Sequence, residues 1–309
     1  MFLISISFAN ECVMLDYKLI EALAMVVQES GFDKAAMALN ITQSAVSQRI
    51  KLLEEQMGQI LLARTTPPQA TPPGRKLLKH YLQVKRLEHD LQDEVDKPSN
   101  KRFTSIAVGI NADSLATWFL DAVHSFLIKE RVLLDIRTDD QERTHRLLKD
   151  GDVVGCISTQ EKPLQGCLVD FIGCMNYQLF AAPKLANKWF PDGLTIDGVR
   201  NAPIIIFNRK DELHRKLFHQ ALGEVPYPMP TNFVPSSEKF ADFIVKGLGY
   251  GMLPHQQSDP FVSAGQLVDL APGYNVPVKL YWHCWNLKSN LLEELSRQLT
   301  LRAKTLLAV

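Results

Sequence analysis

The fold that this chain can adopt is most constrained by a tight turn, Asn40-Ile41-Thr42, which separates two short helical patterns near its start. Residues 33–39 precede the turn and can form one packed apolar face. After the turn, Val46, Ile50 and Leu53 recur at i, i+4 and i+7, the spacing of a buried stripe on a helix. The Thr42 hydroxyl can accept a hydrogen bond from a free backbone N–H two or three residues later. The pattern therefore predicts two short helices joined by a tight turn.

Further local patterns flank this helix pair. A first helix is predicted over Asp16–Glu29 and a short strand over Leu61–Arg64, after Gly58 ends the third helix. Residues 66–73 hold four prolines and are predicted not to be helical, because each proline lacks an N–H and fixes φ. A long helix is then predicted over Arg75–Val95. It carries more apolar surface than one isolated helix can hide, so we expect it to pack against a partner.

The sequence changes character after a polar, proline-containing segment, Asp96–Lys101, which predicts a domain boundary. From Phe103 onward, short β-rich segments alternate with helical ones, which is typical of βαβ units and a mostly parallel sheet. Strands are predicted at Phe103–Ile110, Val132–Arg137, Val153–Ile157, Gln178–Ala182, Pro203–Phe207, Tyr250–Leu253 and Lys279–Cys284. Helices are predicted at Ser114–Lys129, Glu142–Lys149, Glu212–Leu222, Ser237–Lys246 and Asn290–Leu307.

The outward face of the second short helix has the chemistry that reads DNA bases. In a helix-turn-helix unit this helix enters the major groove, and amide and hydroxyl groups there can both donate to and accept from base edges. The residues left facing outward are Gln43, Ser44, Ser47, Gln48 and Lys51. A helical hairpin with a polar face would produce the same pattern, so the pattern alone leaves both interpretations open.

Charge distribution adds weak support for a polyanionic partner. The chain as a whole is neutral, with 34 basic and 34 acidic residues. Between Thr42 and Arg86, however, eight basic residues face only Glu54 and Glu55. Such a segment favours contact with nucleic acid. A solvated helix face could carry the same excess.

The segment from Gly31 to Arg64 resembles the N-terminal signature of LysR-type transcription regulators. The matching positions are Gly31-Phe32, Ala35-Ala36, Leu39, Thr42-Gln43-Ser44-Ala45-Val46-Ser47, Ile50, Leu53-Glu54, Gly58, Leu61 or Leu62, and Arg64. The resemblance implies a sequence-specific regulator that binds double-stranded promoter DNA, with RNA polymerase as a further partner. The DNA-binding residues we expect are Thr42, Gln43, Ser44, Ser47, Gln48, Arg49, Lys51, Arg64, Pro67 and Pro68.

The family resemblance also carries expectations about assembly. It implies that the Arg75–Val95 helix is a dimerisation linker, and that homodimers associate into homotetramers on an interrupted pseudo-palindrome. The fold class expected is an N-terminal all-α winged helix-turn-helix with a long linker helix, followed by a C-terminal α/β, two-lobed, periplasmic-binding-protein-like sensor. The expected boundaries are 14–74 for the DNA-binding domain, 75–96 for the linker helix, and 102–309 for the effector-binding domain, with lobe 1 at about 102–174 and 276–309 and lobe 2 at about 175–275.

One group within the family is more similar still, namely the regulators that respond to lysine and arginine. The similar segments are Arg64-Thr65, Pro67-Pro68, Thr71 and Gly74 in the wing, residues 111–118, and Ser236-Ser237-Glu238. This resemblance implies a basic amino acid as effector, and control of genes for amino-acid export or metabolism. A LysR-type regulator with a different effector is the alternative.

The effector is expected beyond the carboxyl ends of the sensor's strands, where ligands of open α/β sheets bind and helix N-termini favour anions. Hydroxyl donors could hold an amino acid's carboxylate and acidic side chains its cationic groups. The predicted effector-binding residues are Asn111, Asp113, Ser114, Asp139, Asp140, Glu142, Ser236, Ser237 and Glu238. Asp and Ser at helix starts are also ordinary capping residues, which is the competing interpretation for each of them.

Other functions have less support. The chain has no G-x-G-x-x-G, P-loop, G-x-S-x-G or H-E-x-x-H motif, so an enzyme is not expected. An architectural DNA binder without a ligand remains an alternative. The five cysteines form no C-x-x-C pair and have no histidine at metal-ligand spacing, so neither a metal nor a cofactor is expected. Buried thiols are the simplest interpretation, and a redox switch through Cys167 and Cys174 is the rival one.

The apolar first thirteen residues superficially resemble a signal peptide, but they have no basic start and no A-x-A-like cleavage site. We expect Met14 to be the natural start, with the preceding residues either an upstream-start artefact or a disordered arm. They are also too short to span a membrane. A cytoplasmic protein without a membrane partner is expected.

Overall fold

The computed structural model describes residues 14–95, 103–138 and 141–308. The proposed start at Met14 therefore concerns a segment, residues 1–13, that lies outside the described residues. The chain divides into two compact units, with the division between Glu88 and His89. Among the described residues, no helix is both long enough and apolar enough to cross a membrane.

The first unit is a helical domain with a small two-stranded hairpin. Its elements are α1 (Tyr17–Gln28), α2 (Phe32–Ala38), α3 (Gln43–Met57), β1 (Leu62–Ala63), β2 (Gln69–Ala70) and most of α4 (Pro72–Val95), whose last residues follow the division after Glu88. The predicted stripe of Val46, Ile50 and Leu53 is buried in the core, together with α1 residues such as Leu23. The predicted cap is also confirmed, because the Thr42 hydroxyl accepts a 3.2 Å hydrogen bond from the N–H of Ala45.

The expectation that all of residues 66–73 are non-helical is wrong at its end, because α4 begins at Pro72. The long helix thus starts three residues earlier than Arg75, its predicted start. Proline is tolerated in the first turn of a helix, where its missing N–H would have no intrahelical partner and its fixed φ suits the helix. The hydroxyl of Thr71 accepts a 3.3 Å hydrogen bond from the N–H of Gly74 at this helix start.

The second unit is an α/β domain. Its first half contains β3 (Thr104–Ile110), α5 (Ala112–Thr117), α6 (Phe119–Glu130), β4 (Val132–Thr138), α7 (Gln141–Asp150), β5 (Gly155–Ser158) and β6 (Cys167–Ala181). Then follow α8 (Pro183–Trp189), α9 (Ile196–Asn201), β7 (Ile204–Ile206), α10 (Leu213–Leu222), β8 (Thr231–Phe233), α11 (Ser237–Val245) and β9 (Gly251–Pro254). The last elements are α12 (His255–Ser263), β10 (Val268–Asp269), β11 (Val276–Trp285) and α13 (Asn290–Leu306).

The main sheet has seven strands in the order β10-β6-β11-β5-β3-β4, with β9 also paired to β6. Strand β3 is parallel to β4 and β5, but β11 is antiparallel to both β5 and β6. Strands β9 and β10 are antiparallel to β6 as well. The expectation of a mostly parallel sheet is therefore wrong. The two long strands β6 and β11 join the halves of the domain, and strand direction across such a pair is decided by tertiary pairing rather than by local pattern.

Two local predictions in this unit also needed correction. The single helix predicted over Ser114–Lys129 is divided into α5 and α6 at Trp118, whose side chain is buried. The strand predicted at Gln178–Ala182 is the end of the much longer β6. Its first part contains Asp170 and Gly173, two residue types that are depleted in strands, and it is held in place by pairing with β11.

The geometry of strand β6 also tests the proposed redox switch between Cys167 and Cys174. Cys167 and Cys174 lie on this one strand, seven positions apart, which corresponds to roughly 23 Å along an extended chain. A disulfide needs Cα atoms about 4.4–6.8 Å apart. The two residues therefore cannot form a redox pair in this fold.

Candidate nucleic-acid interface and effector site

The exposed face of α3 carries the predicted base-reading residues. Thr42, Gln43, Ser44, Gln48 and Lys51 are exposed. On the opposite face, the stripe of Val46, Ile50 and Leu53 fixes the rotation of the helix against α1 and α2. Two further predicted residues, Ser47 and Arg49, are partly exposed. The burial pattern thus presents a polar and cationic surface over the first half of α3.

A short wing lies beside this face. It is formed by β1, β2 and the connection between them, with Leu62 paired to Ala70 and Ala63 paired to Gln69. On the connection, Arg64 and Pro67 are exposed and Pro68 is partly exposed.

Helix and wing line one open groove of about 400 Å³. Its lining residues are Ser30, Gly31, Phe32, Gln43, Ser47, Arg64, Thr65, Thr66 and Pro68. Predicted DNA-binding residues separated by about twenty positions in sequence, such as Gln43 and Arg64, therefore share one concave surface. Amide and hydroxyl groups suited to base edges lie there beside a cation suited to phosphate.

The base of the wing is packed tightly against the start of α4. The N–H of Thr71 donates to the carbonyl of Leu61 at 2.9 Å, and the Thr71 hydroxyl donates to the carbonyl of Ile60 at 2.7 Å. Arg75 donates through Nη1 to the carbonyl of Ala70 at 2.8 Å. A Cβ on Gly74 would lie 2.1 Å from the Leu61 carbonyl oxygen, so glycine is required by this close approach.

In the second unit, the predicted effector-site residue Asp113 lies in a network of side-chain hydrogen bonds. Its Oδ2 accepts a 2.6 Å hydrogen bond from the hydroxyl of Tyr177, and the Ser237 side chain also hydrogen-bonds to it. Burial raises the pKa of the Asp113 carboxyl above its ordinary value, and the charge of Asp211 acts in the same direction. The bonds from Ser237 and Tyr177 oppose this rise, because they favour the charged form.

Asn111 and Ser114 lie at the same helix start. Asn111 is 2% exposed, yet neither polar atom of its amide has a hydrogen-bond partner among the described residues. Its side chain does not cap α5. Ser114 is fully buried, and its hydroxyl lies 3.8 Å from the sulfur of Met175. Buried amides are nearly always hydrogen-bonded, so the Asn111 amide is suited to a polar ligand group.

Most of the remaining predicted effector residues are exposed, serve as helix caps or lie outside the described residues. Ser236 is exposed and caps α11, accepting from the N–H of Lys239 at 3.5 Å, so the capping interpretation holds for it. Glu238 is exposed on the first turn of α11. Ser237 is buried, and its carbonyl accepts a 2.8 Å hydrogen bond from Gln257. Asp139 and Asp140 lie outside the described residues. Glu142 lies in α7, but its side chain is also outside the described part.

Two residues of this site were missed by sequence reasoning, Tyr177 and Asp211. Tyr177 lies in β6, 64 positions after Asp113. Asp211 precedes α10, where its carboxylate accepts from the backbone of Phe207 at 3.4 Å and of Leu213 at 3.0 Å. Neither position carries a local motif. Only the pairing of elements far apart in sequence brings them to Asp113.

The chain belongs to the LysR family of bacterial transcription regulators. The family described as "Bacterial regulatory helix-turn-helix protein, lysR family" matches residues 17–75, which span α1 to the start of α4. Similarity continues far beyond that segment. The regulator ArgP of Aeromonas salmonicida is 40% identical over 285 residues, covering 92% of this chain and 95% of that protein. The protein is therefore a DNA-binding transcription regulator rather than an enzyme.

Two solved structures of related regulators match this chain over both units. The crystal structure of ArgP from Mycobacterium tuberculosis matches with a TM-score of 0.85 and 37% identity, covering 96% of this chain and 99% of that one. Full-length LysG from Corynebacterium glutamicum, solved with the effector Arg bound, matches with a TM-score of 0.77 and 29% identity. That match covers 96% of this chain and 100% of that one. The expected winged helix-turn-helix followed by a two-lobed α/β sensor is confirmed.

Proposed function

We propose that this regulator senses lysine or arginine, and that the carboxylate of Asp113 binds the cationic group of the effector. The observation that carries the proposal is the placement of that carboxylate. It is held by Tyr177 and Ser237, and its charge is destabilised by burial. An ammonium or guanidinium group would compensate this partly buried carboxylate through a charge-assisted hydrogen bond. The arginine bound in the related LysG supports the same class of ligand.

The other end of the effector would be held by neutral donors. The unpaired amide of Asn111 is a candidate, since its Nδ2 can donate to a carboxylate and its Oδ1 can accept from an ammonium group. Ser114 and Ser237, both buried, are the candidate hydroxyl donors. Asp139, Asp140, Glu142, Ser236 and Glu238 stay secondary candidates.

On the DNA, α3 is proposed to read bases through Gln43, Ser44, Ser47 and Gln48, while cationic side chains bind phosphates. The proposed contact set is completed by Thr42, Arg49, Lys51, Arg64, Pro67 and Pro68.

The long helix α4 is proposed as the dimerisation linker, and its exposed Leu87, Leu91 and Val95 support this role. We propose that homodimers assemble into tetramers in the cytoplasm. There the regulator would act on RNA polymerase at promoters of amino-acid export or metabolism genes.

Calorimetry on the full chain tests the effector assignment. Lysine and arginine are titrated beside norleucine and citrulline, which keep comparable side-chain lengths but have no side-chain charge. Binding of the cationic pair alone is expected. Asp113→Asn should abolish the preference, whereas Asp192→Asn, which changes an exposed carboxylate in a turn, should leave it unchanged.

A footprint on promoter DNA that changes with the bound amino acid would complete the test. Specific DNA binding without any response to basic amino acids would leave the family unaffected and reject this effector class. Equal binding of norleucine and lysine would reject the role of Asp113.

A further inference from the structure

We propose that Glu54 is a positioning residue for DNA recognition: its carboxylate holds the wing at a fixed place beside α3. Oε1 of Glu54 accepts two backbone hydrogen bonds, from the N–H of Leu61 at 2.8 Å and from the N–H of Leu62 at 3.1 Å. Glu54 is partly buried, and it follows Leu53, whose side chain anchors α3 in the core. The acceptor is thus fixed on the recognition helix itself, while the donors lie at the start of the wing.

The wing needs such a link because it has little structure of its own. Strands β1 and β2 have two residues each and form two paired positions. Isolated two-stranded hairpins are at best marginally stable in water, and one this short depends on its surroundings. Backbone N–H groups bonded to an ionised carboxylate form stronger hydrogen bonds than those bonded to a neutral acceptor. Glu54 therefore provides a strong link between α3 and β1.

The peptide of Leu61 is also held from the other side. While its N–H donates to Glu54, its carbonyl accepts from the N–H of Thr71 and lies against Gly74. One residue thus joins the recognition helix to the segment that starts α4. Its side chain is 1% exposed, so the junction is packed as well as hydrogen-bonded.

The consequence for DNA binding follows from the position of Arg64. This residue lies two positions after Leu62 and shares the groove with Gln43 and Ser47 of α3. Phosphates and base edges occupy fixed positions on a duplex, so simultaneous contact by helix and wing requires a fixed separation between them. Without the Glu54 link, the wing would move relative to α3, and the contribution of Arg64 to affinity would fall.

A double-mutant cycle tests this on the full chain, with a duplex selected in vitro by the wild-type protein as the probe. Glu54→Leu removes the acceptor while keeping a side chain of similar size, whereas Glu54→Gln keeps an oxygen acceptor. Glu55→Leu is the matched control, because it removes the neighbouring exposed carboxylate, which pairs with Lys51 at 3.6 Å. The second site of the cycle is Arg64→Ala.

If Glu54 acts through the wing, Glu54→Leu should weaken binding about tenfold or more in the wild-type background and much less in the Arg64→Ala background, since coupled residues are non-additive. Glu54→Gln should restore most of the affinity, and Glu55→Leu should show no coupling. Equal losses from Glu54→Leu in both backgrounds would overturn the proposal. So would wild-type affinity of Arg64→Ala, because it would remove the wing contact on which the inference rests.

Amide hydrogen exchange gives a second measurement that does not depend on a folded Glu54→Leu variant. The N–H groups of Leu61 and Leu62 should be protected in the wild-type protein. Because Glu54→Gln keeps an oxygen acceptor but loses the charge, it should lower this protection only in part, and before the core of α3 is affected. Exchange of both amides at the rate of an open loop in the wild-type protein would overturn the proposal.

Discussion

The hydroxyl of Tyr177 donates a 2.6 Å hydrogen bond to Oδ2 of Asp113. This bond joins the second half of the long strand β6 to the helix start that follows β3. Asp113 also hydrogen-bonds to Ser237, at the beginning of α11. Three elements thus meet at one carboxylate, and the consequences can be measured.

Replacing Asp113 with Asn should weaken binding of lysine or arginine by about ten- to a hundredfold, because a charge-assisted hydrogen bond contributes about 1.5–3 kcal/mol. Specific DNA binding without effector should be retained. Calorimetry together with a DNA-binding assay would measure both effects. An unchanged Kd for both amino acids would exclude Asp113 from the site.

The same substitution should have the opposite effect on the stability of the effector-free protein. Because burial raises the pKa of Asp113, the native state holds this proton more tightly than the unfolded chain does. The wild-type protein therefore loses stability as pH rises through the native pKa. Asp113→Asn should be the more stable protein at pH 7, and its advantage should shrink as pH falls toward the unfolded pKa of about 3.9. Urea unfolding at several pH values would measure this difference.

Tyr177→Phe tests the support of the carboxylate rather than the carboxylate itself. The hydrogen bond from Tyr177 lowers the pKa of Asp113, so its loss should raise that pKa further. We expect affinity for a basic amino acid to fall about fivefold, corresponding to about 1 kcal/mol for one hydrogen bond. The loss should be larger at acidic than at alkaline pH. A loss independent of pH would indicate a packing effect instead.

Gly74→Ala should destabilise the first unit, because its Cβ would lie 2.1 Å from the Leu61 carbonyl oxygen. Forced overpacking of this kind costs about 1–3 kcal/mol. Gly31→Ser is the control, since a Cβ at Gly31 meets no atom within 4 Å and serine is a favourable N-cap for α2. Thermal unfolding of the two variants would compare them, and equal melting temperatures would contradict the close approach at Gly74.

The cysteines are expected to differ in reactivity. Cys156, Cys167 and Cys284 are buried, and burial raises the pKa of Cys284 to about 12. Cys174 is partly exposed. Since the thiolate is the reactive form, we expect that, of the four cysteines in the described residues, Cys174 is alkylated first at pH 8 and Cys284 much more slowly. Mass spectrometry after timed labelling would measure the order. A Cys167–Cys174 disulfide after mild oxidation would contradict the structure.

Much of the first unit could be predicted from sequence because its determinants are local. The spacing of Val46, Ile50 and Leu53 defines which face of α3 is buried, and Thr42 caps the helix three residues away. The outward positions of Gln43 and Gln48 follow from that rotation. The start of α4 at Pro72 was missed, because a rule against proline in helices does not apply to a helix's first turn.

In the sensor, the local sequence pattern did not determine strand direction or which candidate residues are buried. Its alternation of strands and helices was predicted, yet the antiparallel course of β6 and β11 was not, since strand direction depends on partners distant in sequence. Among the candidate effector residues, sequence alone could not distinguish a capping serine such as Ser236 from a buried one such as Ser237. Burial and hydrogen bonding made that distinction.

The sequence by itself thus determined the helix-turn-helix and its exposed polar face, because periodicity and capping act over a few residues, and its resemblance to the LysR-type signature indicated the family. Tertiary structure alone brought Tyr177 and Ser237 to Asp113 and placed Glu54 against Leu61 and Leu62. A hydrogen bond depends on distance in space, and the chain can bring distant residues together only when its hydrophobic cores have formed.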